Sequence, residues 1–165
     1  MSHHIPQELY NQILREVPIA CVDIAIVAGG SILLVRRQDA PAAGQWWVPG
    51  GRVLKGEKMK ETARRKAREE VGLDCHVGPI IHTAETIFED GPHGIAVHSI
   101  NSCFLLYPVL PAAETRVCLD GHHGGFRWVG TVPRGLHPYV EQCLLASGLD
   151  PGEESISDLD RVRRD

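Results

Sequence analysis

Two segments of the chain carry apolar residues at every fourth position. In residues 5–17 these are Ile5, Leu9, Ile13 and Val17, and in residues 57–71 they are Met59, Ala63, Ala67 and Val71. This spacing places apolar side chains on one face of an α-helix. The second segment contains neither Gly nor Pro and is followed by Gly72, a residue type that favours helix C-termini. We predict two amphipathic helices, of which the second packs on a sheet through a narrow apolar stripe.

Between and after these helices, apolar residues form short runs rich in β-branched side chains. Residues 19–28 and 31–36 flank the pair Gly29-Gly30, a pattern that predicts a β-hairpin. Further strands are predicted near residues 75–86, 97–107 and 126–129, followed by a closing helix at 138–147. Strands and helices alternating at these lengths predict the α/β class.

Length and composition predict a single domain. Of the 165 residues, 43% are hydrophobic and 23% are charged, both ordinary proportions for a globular protein. We expect one domain over residues 1–165, with its core at about 17–148. We expect the charged tail at 150–165 to be frayed and to carry no chemistry.

Charge and the lack of targeting signals argue against several classes of function. The net charge of -4 disfavours broad binding to nucleic acid or membrane surfaces. No apolar run approaches the roughly 18 residues of a membrane span, and the start of the chain does not resemble a signal peptide. The five cysteines form no C-x-x-C pair and are typical of reduced thiols. We expect a cytoplasmic protein that binds neither nucleic acid nor membranes, and we also expect a homodimer.

The segment around the second helix has a distinctive spacing of glycine, arginine and glutamate. It resembles the Nudix box, G-x5-E-x7-R-E-U-x-E-E-x-G-U, in which U is an aliphatic residue. Eight of the nine fixed positions match: Gly51, Glu57, Arg65, Ala67, Glu69, Glu70, Gly72 and Leu73. The ninth position is usually glutamate and is Lys66 here.

The resemblance implies the Nudix fold, an α/β fold in which a mixed β-sheet is sandwiched between helices and the box forms a loop-helix-loop. It also implies a metal-dependent hydrolase of nucleoside diphosphates linked to another group. Composition alone would favour a charged, solvated helix whose acids pair with Arg64, Arg65 and Arg68. The glycine turn at a fixed distance upstream favours the Nudix interpretation.

Lys66 changes the expected metal site. It lies four residues before Glu70, so both side chains project from one helical face. Two carboxylates at this spacing can hold hard cations through oxygen, but here an ammonium neighbours Glu70. We expect this site to hold fewer metal ions than a complete box.

Other segments resemble one branch of the family, the GDP-mannose mannosyl hydrolases. The similar segments are VPIACVD at 17–23, LLVRR at 33–37, APAAGQWWVPGGRV at 40–53 and LDGHHGGFRW at 119–128. That branch also lacks the first glutamate of the Arg-Glu pair, which agrees with Lys66. The resemblance implies attack of water at the anomeric carbon of a nucleotide sugar, with release of GDP and the free sugar.

The same resemblance assigns the metal ligands. A Mg2+ ion would be bound by the Gly50 carbonyl, Glu70 and the side chain at position 122, with Glu69 a less essential member of the set. Where the branch has glutamine, this chain has His122, whose nitrogen suits softer metals than Mg2+. Mn2+ or another divalent ion is therefore an alternative to Mg2+.

The resemblance also assigns the residues that act on the nucleotide-sugar substrate. Arg37 and Arg52 would bind the diphosphate, and Asp23 would bind the sugar or the region of the departing oxygen. His123 matches the general base of the branch. A histidine accepts a proton from water at neutral pH more readily than an unperturbed glutamate does.

Several other residues near these motifs are interpreted from their context. His98 lies in a strand-like run and is expected to be structural, and one of Trp46 and Trp47 is expected to face the core. Ser99 stands where the branch tends to have an aromatic hydroxyl.

Two other functions remain open. A pyrophosphatase would attack phosphorus in a nucleotide sugar, a dinucleotide or a nucleoside triphosphate, and the complete Glu69-Glu70 pair favours it. A catalytically silent, nucleotide-binding Nudix domain is suggested by Lys66. The products released from a nucleotide sugar distinguish all three functions.

Overall fold

The computed structural model describes residues 4–161. Its helices are α1 (Gln7–Glu16), α2 (Met59–Val71), α3 (Pro138–Ala146) and α4 (Ile156–Leu159). Its strands are β1 (Ile19–Ala28), β2 (Ser31–Arg37), β3 (Trp46–Trp47), β4 (Gly50–Arg52), β5 (Cys75–Phe88), β6 (Val97–Pro108), β7 (His123–Val129), β8 (Val132–Arg134) and β9 (Pro151–Ser155). Short 3-10 turns lie at Pro92–Gly94 and Ala112–Glu114.

Seven of these strands form one mixed sheet around β1. The order across the sheet is β3-β2-β1-β6-β5, with β4 also paired to β1 and β7 to β2. Strands β1 and β6 run parallel, from Ile19 opposite Ser99 to Ile26 opposite Leu106. The other pairs of this sheet are antiparallel, while β8 and β9 form a separate parallel pair.

Helices pack on both faces of the sheet, because alternate side chains of each strand point to opposite faces. The core beneath α2 includes Val22, Ile24, Ala63, Ala67 and Val71. The core beneath α3 includes Ala25, Trp47, Val140 and Leu144. The predicted α/β fold, a mixed sheet between helices, is confirmed, and the apolar stripe of α2 is buried from Ala63 onward.

The box forms a loop, a helix and a loop, with Glu57 in the first loop and not in the helix. Its carboxylate accepts hydrogen bonds from the Thr62 hydroxyl at 2.6 Å and from Nε and NH2 of Arg65 at 2.8 and 3.0 Å. The hydrogen bonds from Arg65, followed by those from Thr62 and the Leu54 N–H, lower the pKa of Glu57 to about 2. This bonding ties the loop to the first and second turns of α2, which begins at Met59.

The segment after residue 150 corrects one prediction. Residues 151–159 are ordered, because β9 pairs with β8 and α4 buries Leu159 against the core. Asp160 accepts a hydrogen bond of 2.9 Å from the Trp46 indole N–H and lies 3.2 Å from NH1 of Arg36. The charged composition of the segment alone predicts fraying. The partners of Asp160 are more than 100 residues away in the chain, so the local sequence does not reveal these contacts. Residues 162–165, also part of the predicted tail, lie outside the described residues.

Among residues 4–161, no helix is long and apolar enough to cross a membrane. All five cysteines are free, and Cys75, Cys103 and Cys143 are buried in the core.

The Glu57 bonding generates a prediction about stability. Glu57→Gln should lower the free energy of unfolding by about 2 kcal/mol near pH 7, because hydrogen bonds between charged groups are replaced by weaker ones. The pKa of Glu57 is lowered in the folded state, so its contribution is complete above the unfolded value of 4.5 and is lost as the pH falls toward 2. The difference in the free energy of unfolding between the wild type and Glu57→Gln should therefore decrease below about pH 4.

Urea denaturation at a series of pH values measures this effect. Glu89→Gln, which changes an exposed carboxyl, serves as the matched control and should leave the unfolding free energy nearly unchanged. An equal loss for both variants, or a loss at Glu57 that does not depend on pH, would contradict the prediction.

Candidate active site

A cleft of about 480 Å³ is lined by residues of α1 and α2, of strands β1 to β6, of the loops after β2 and before β7, and of the start of β7. Seven of the eight predicted site residues line it: Asp23, Arg37, Gly50, Arg52, Glu70, His122 and His123. The eighth, Glu69, lies outside the lining. The sheet thus brings together residues that are up to 100 positions apart in the chain.

Glu70 is held where α2 meets β4. Its Oε2 accepts a hydrogen bond of 2.9 Å from the Gly50 N–H, and its Oε1 lies 3.1 Å from Nζ of Lys66. This approach requires glycine, since a Cβ at position 50 would lie 2.5 Å from the Val22 carbonyl oxygen and 2.8 Å from Cα of Asp23. The two residues predicted to bind the metal through a carboxylate and a carbonyl are therefore in direct contact.

Glu69 faces away from the cleft. Its side chain is 51% exposed, and its Oε2 lies 3.1 Å from NH1 of Arg65 and 3.4 Å from Nζ of Lys66. Arg65 also binds Glu57, so Glu69 contributes to the bonding that fixes the box loop. Glu69 is therefore positioned to orient Arg65.

His122 and His123 have different environments although they are adjacent. The His122 side chain is 75% exposed, and its Nδ1 lies 2.6 Å from Oδ2 of Asp39. The Asp39 carboxylate raises the pKa of His122 and favours the protonated ring, which cannot ligate a metal. Metal binding by His122 would therefore require loss of the proton on Nε2, while Nδ1 continues to donate to Asp39.

His123 is the first residue of β7, and its side chain is only 5% exposed. Its Nδ1 lies 2.8 Å from Oδ1 of Asp120, which also accepts a hydrogen bond from the His122 N–H at 3.0 Å. An ionised carboxylate can only accept, so the hydrogen bond places a proton on Nδ1. In the neutral ring Nε2 is then free to accept a proton. The sequence motif contained Asp120, but its role appears only in the structure.

Asp23 is buried on β1 and bonded to α3. Its Oδ2 accepts a hydrogen bond of 2.7 Å from the Tyr139 hydroxyl. Burial raises the pKa of Asp23 to about 7, the Glu70 carboxylate adds to the increase, and Tyr139 and Arg37 oppose it. Tyr139 was not identified from the sequence, because 116 residues separate it from Asp23 and no local motif marks it.

Arg37 and Arg52 place two positive charges in the cleft. Nε of Arg37 donates a hydrogen bond of 2.8 Å to the Pro41 carbonyl, and the Arg52 guanidinium lies 5.5 Å from the centre of the Tyr10 ring. Neither arginine forms a salt bridge with a carboxylate in the part of the chain that the structure describes. Both guanidinium groups can therefore bind an anionic ligand.

A buried polar cluster of Thr86, Ser99 and Asn101 also lines the cleft, and only Ser99 is singled out by the sequence motifs. The Ser99 hydroxyl lies 2.8 Å from the Thr86 hydroxyl and donates to Oδ1 of Asn101 at 3.1 Å. Nδ2 of Asn101 donates to the Thr86 hydroxyl at 3.2 Å. These polar side chains stand on β5 and β6 at positions whose burial depends on the parallel pairing of β6 with β1.

The tryptophans and His98 were assigned from their local pattern. Trp46 and Trp47 are both buried, although only one was expected to face the core, and Trp47 also lines the cleft. His98 lies outside the cleft lining, and its Nε2 is 2.8 Å from Oε2 of Glu85 at the surface.

The donor set fits a single Mg2+ ion that arrives with a phosphorylated ligand. Among residues 4–161, no three His, Cys, Asp or Glu side chains form a group that could hold a metal alone. Mg2+, however, is usually bound by one or two carboxylates together with water and substrate phosphates. The buried Glu70 carboxylate, in contact with the Gly50 peptide, meets this requirement, whereas the Lys66 ammonium on Oε1 disfavours a second ion.

Known proteins resemble this chain in sequence and in fold. The family model described as NUDIX domain matches residues 18–131. The low-salt glycan biosynthesis protein Agl8 of Haloferax volcanii is 32% identical over 144 residues, which cover 86% of this chain and 90% of that protein. The ADP-ribose pyrophosphatase of Methanocaldococcus jannaschii is 34% identical over 89 residues, 54% of this chain and 50% of that protein.

Two solved structures share the fold. A MutT NUDIX hydrolase from Burkholderia pseudomallei superposes with a TM-score of 0.66 at 24% identity, covering 79% of this chain and 98% of that one. A MutT protein from Methanosarcina mazei has a TM-score of 0.63 at 27% identity, covering 79% of this chain and 93% of that one.

The raised pKa of Asp23 generates a prediction about pH. The folded state favours protonated Asp23, so stability decreases as the pH rises from the unfolded value of 3.8 toward 7. Asp23→Asn mimics the protonated form and removes this effect. Its stabilisation relative to the wild type should increase by on the order of 2 kcal/mol between pH 5 and pH 8.

Thermal unfolding in EDTA at these two pH values measures the difference in the absence of metal. Asp150→Asn, at an exposed position, is the matched control and should show no such change. A stabilisation by Asp23→Asn that is equal at both pH values would rule out an elevated pKa.

Proposed function

The chain belongs to the Nudix hydrolase family, and we propose that it hydrolyses a GDP-sugar, GDP-mannose, to GDP and the free sugar. In the proposed reaction, water attacks the anomeric carbon of the sugar. The observation that carries the proposal is the contact between Asp120 and the His123 side chain, which lines a cleft that also contains Arg37 and Arg52. This arrangement supplies a general base and two cations for a diphosphate in one site.

His123 acts as the general base in this proposal. Asp120 fixes the proton on Nδ1, and Nε2 takes a proton from the attacking water as its oxygen bonds to the anomeric carbon. The bond between that carbon and the β-phosphate oxygen breaks, and its electron pair stays on the departing GDP.

Arg37 and Arg52 bind the diphosphate and stabilise the negative charge that develops on it as the sugar leaves. Asp23, held by Tyr139, binds sugar hydroxyls or the departing oxygen region. With Mg2+ bound through Glu70 and the Gly50 carbonyl, further charge on the leaving group is neutralised. Mn2+ is the alternative ion, and His122 would be a ligand only through Nε2 and only after that nitrogen loses its proton.

The similarity to a glycan biosynthesis protein over most of both chains supports a sugar nucleotide as the substrate class. The preference for GDP and mannose rests on the resemblance of the sequence motifs to the mannosyl hydrolase branch. A panel of nucleotide sugars assayed with Mg2+ and with Mn2+ tests both preferences.

A second candidate function is a pyrophosphatase that attacks phosphorus. The retained Glu69-Glu70 pair and the similarity of about half the chain to an ADP-ribose pyrophosphatase favour it. The orientation of Glu69 toward Arg65, outside the cleft, favours the glycosyl reaction instead. A silent nucleotide-binding domain is the third possibility and would release no product.

The site of attack is tested by turnover in oxygen-18 water. We expect the label in the released sugar and none in GDP, with inversion at the anomeric carbon because a single displacement forms no covalent intermediate. His123→Gln should lower kcat by about 10²–10⁴-fold with little change in KM. His98→Gln, which changes a histidine outside the cleft, is the matched control.

Each outcome separates the candidates. Label in a phosphate product would assign the chain to the pyrophosphatases, and no turnover of any nucleotide sugar would favour the silent domain. Equal activity of wild type and His123→Gln would eliminate His123 as the base.

The two adjacent glutamates should differ in their effect on metal dependence. Glu70→Gln removes a buried carboxylate and should raise the Mg2+ concentration for half-maximal activity by at least about tenfold. Glu69→Gln should have a smaller effect, since its carboxylate is exposed and bonded to Arg65. Full activity of Glu70→Gln at low Mg2+ would refute the assigned ligand.

A further inference from the structure

Lys66 is a cleft residue and not a solvated lysine of a helix surface. Its side chain is 17% exposed and lines the cleft, with Nζ 3.1 Å from Oε1 of Glu70 and 3.4 Å from Oε2 of Glu69. Lys60, on the same helix, is exposed and lies outside the cleft lining. The difference indicates that the position of Lys66 is determined by the fold.

The backbone of β4 provides the space for this lysine. A Cβ at Gly51 would lie 2.6 Å from Cε and 3.1 Å from Nζ of Lys66. The lysine therefore lies across a glycine whose missing side chain lets it reach the cleft. Because Glu70 also bonds to the Gly50 N–H, the ammonium is fixed beside the two peptides that form the edge of the metal site.

The ammonium of Lys66 places a positive charge in the cleft, next to the Glu70 carboxylate. Compared with a glutamate, a lysine at this position adds two units of positive charge next to Glu70. A second divalent ion there would be repelled, whereas a diphosphate would be attracted.

We propose that Lys66 is a substrate-binding residue whose ammonium binds the diphosphate where a second divalent ion would otherwise lie. The enzyme then needs one metal ion per chain, and Lys66 supplies the remaining positive charge with Arg37 and Arg52. The inference rests on the proposed function, because it assumes that a nucleoside diphosphate moiety occupies this cleft. Lys66 is then the cation that compensates for the glutamate missing from the box.

The alternative is that Lys66 only orients Glu70. Binding measured without metal separates the two roles, because the orientation of a metal ligand is then irrelevant. The probes are GDP and guanosine, titrated calorimetrically in EDTA against wild type, Lys66→Met, Lys66→Arg and the control Lys60→Met. The two nucleotides differ only in the diphosphate.

Lys66→Met should bind GDP at least about tenfold more weakly than the wild type, the loss expected for one charge-assisted hydrogen bond. It should bind guanosine as the wild type does. Lys66→Arg should recover part of the lost GDP affinity, and Lys60→Met should match the wild type. Unchanged GDP affinity of Lys66→Met, or an equal loss for guanosine, would overturn the inference.

A second measurement counts metal ions directly. With GDP present, electron paramagnetic resonance of Mn2+ should show one bound ion per chain in the wild type and two in Lys66→Glu, which restores the second carboxylate. Circular dichroism verifies that Lys66→Glu is folded. Two ions in the wild type would overturn the inference, even if Lys66→Glu were unfolded.

These results are distinguishable from a failure of the proposed function. ADP and UDP are titrated alongside GDP, and the test of Lys66 uses whichever diphosphate the wild type binds. Preference for another base, or oxygen-18 in a phosphate product, would refute the GDP-sugar assignment while Lys66 still bound the diphosphate. Binding of none of the three diphosphates would refute both.

Discussion

The close approach of β4 to β1 at Gly50 is the constraint on which the cleft depends. No side chain fits at this position, because the Val22 carbonyl oxygen and the Asp23 carboxylate occupy the space where a Cβ would lie. The Gly50 N–H is consequently exposed to the Glu70 carboxylate, and α2 is held against the sheet by a polar contact as well as by its apolar stripe. A larger residue would separate Asp23, Glu70 and Lys66 at once.

The charges in the cleft are compatible with burial because each has a compensating group. Asp23 accepts a hydrogen bond from the Tyr139 hydroxyl and tends to retain its proton. Glu70 contacts the Lys66 ammonium, and His123 contacts Asp120. Buried ionised groups without such partners would be strongly destabilising. The positive charge of Arg37 and Arg52 lacks a carboxylate partner among residues 4–161, and a phosphorylated ligand is the natural counterion.

The sequence predicted the features that depend on local pattern. The β-branched run of β1, the hairpin at Gly29-Gly30 and the stripe of α2 each encode their own structure, and the spacing of the box identifies Glu70 within it. The partners supplied by distant segments were not predictable in the same way. Tyr139 reaches Asp23 from α3, and Asp160 reaches Trp46 from beyond β9, because of how the sheet and helices pack.

Side-chain direction was the other limit of the sequence. Adjacent residues on α2 differ by about 100° in orientation, so Glu69 and Glu70 cannot both face the cleft. The motif lists them together, and only the packing of Ala67 and Val71 decides which one points inward. Likewise, β7 begins at His123, so the side chain of His123 is buried while that of the preceding His122 is exposed.

The contact between Asp160 and Trp46 has a consequence for the order of assembly during synthesis. Trp46 belongs to β3, which directly precedes the turn leading into Gly50 and Gly51. A nascent chain that has emerged only through β7 already contains every residue assigned here to metal or substrate, yet it lacks Tyr139 and the anchor for Trp46. Since proteins fold progressively from the N-terminus on the ribosome, the hydrogen bonds that hold Asp23 and Trp46 form only after α3 and then residue 160 have emerged.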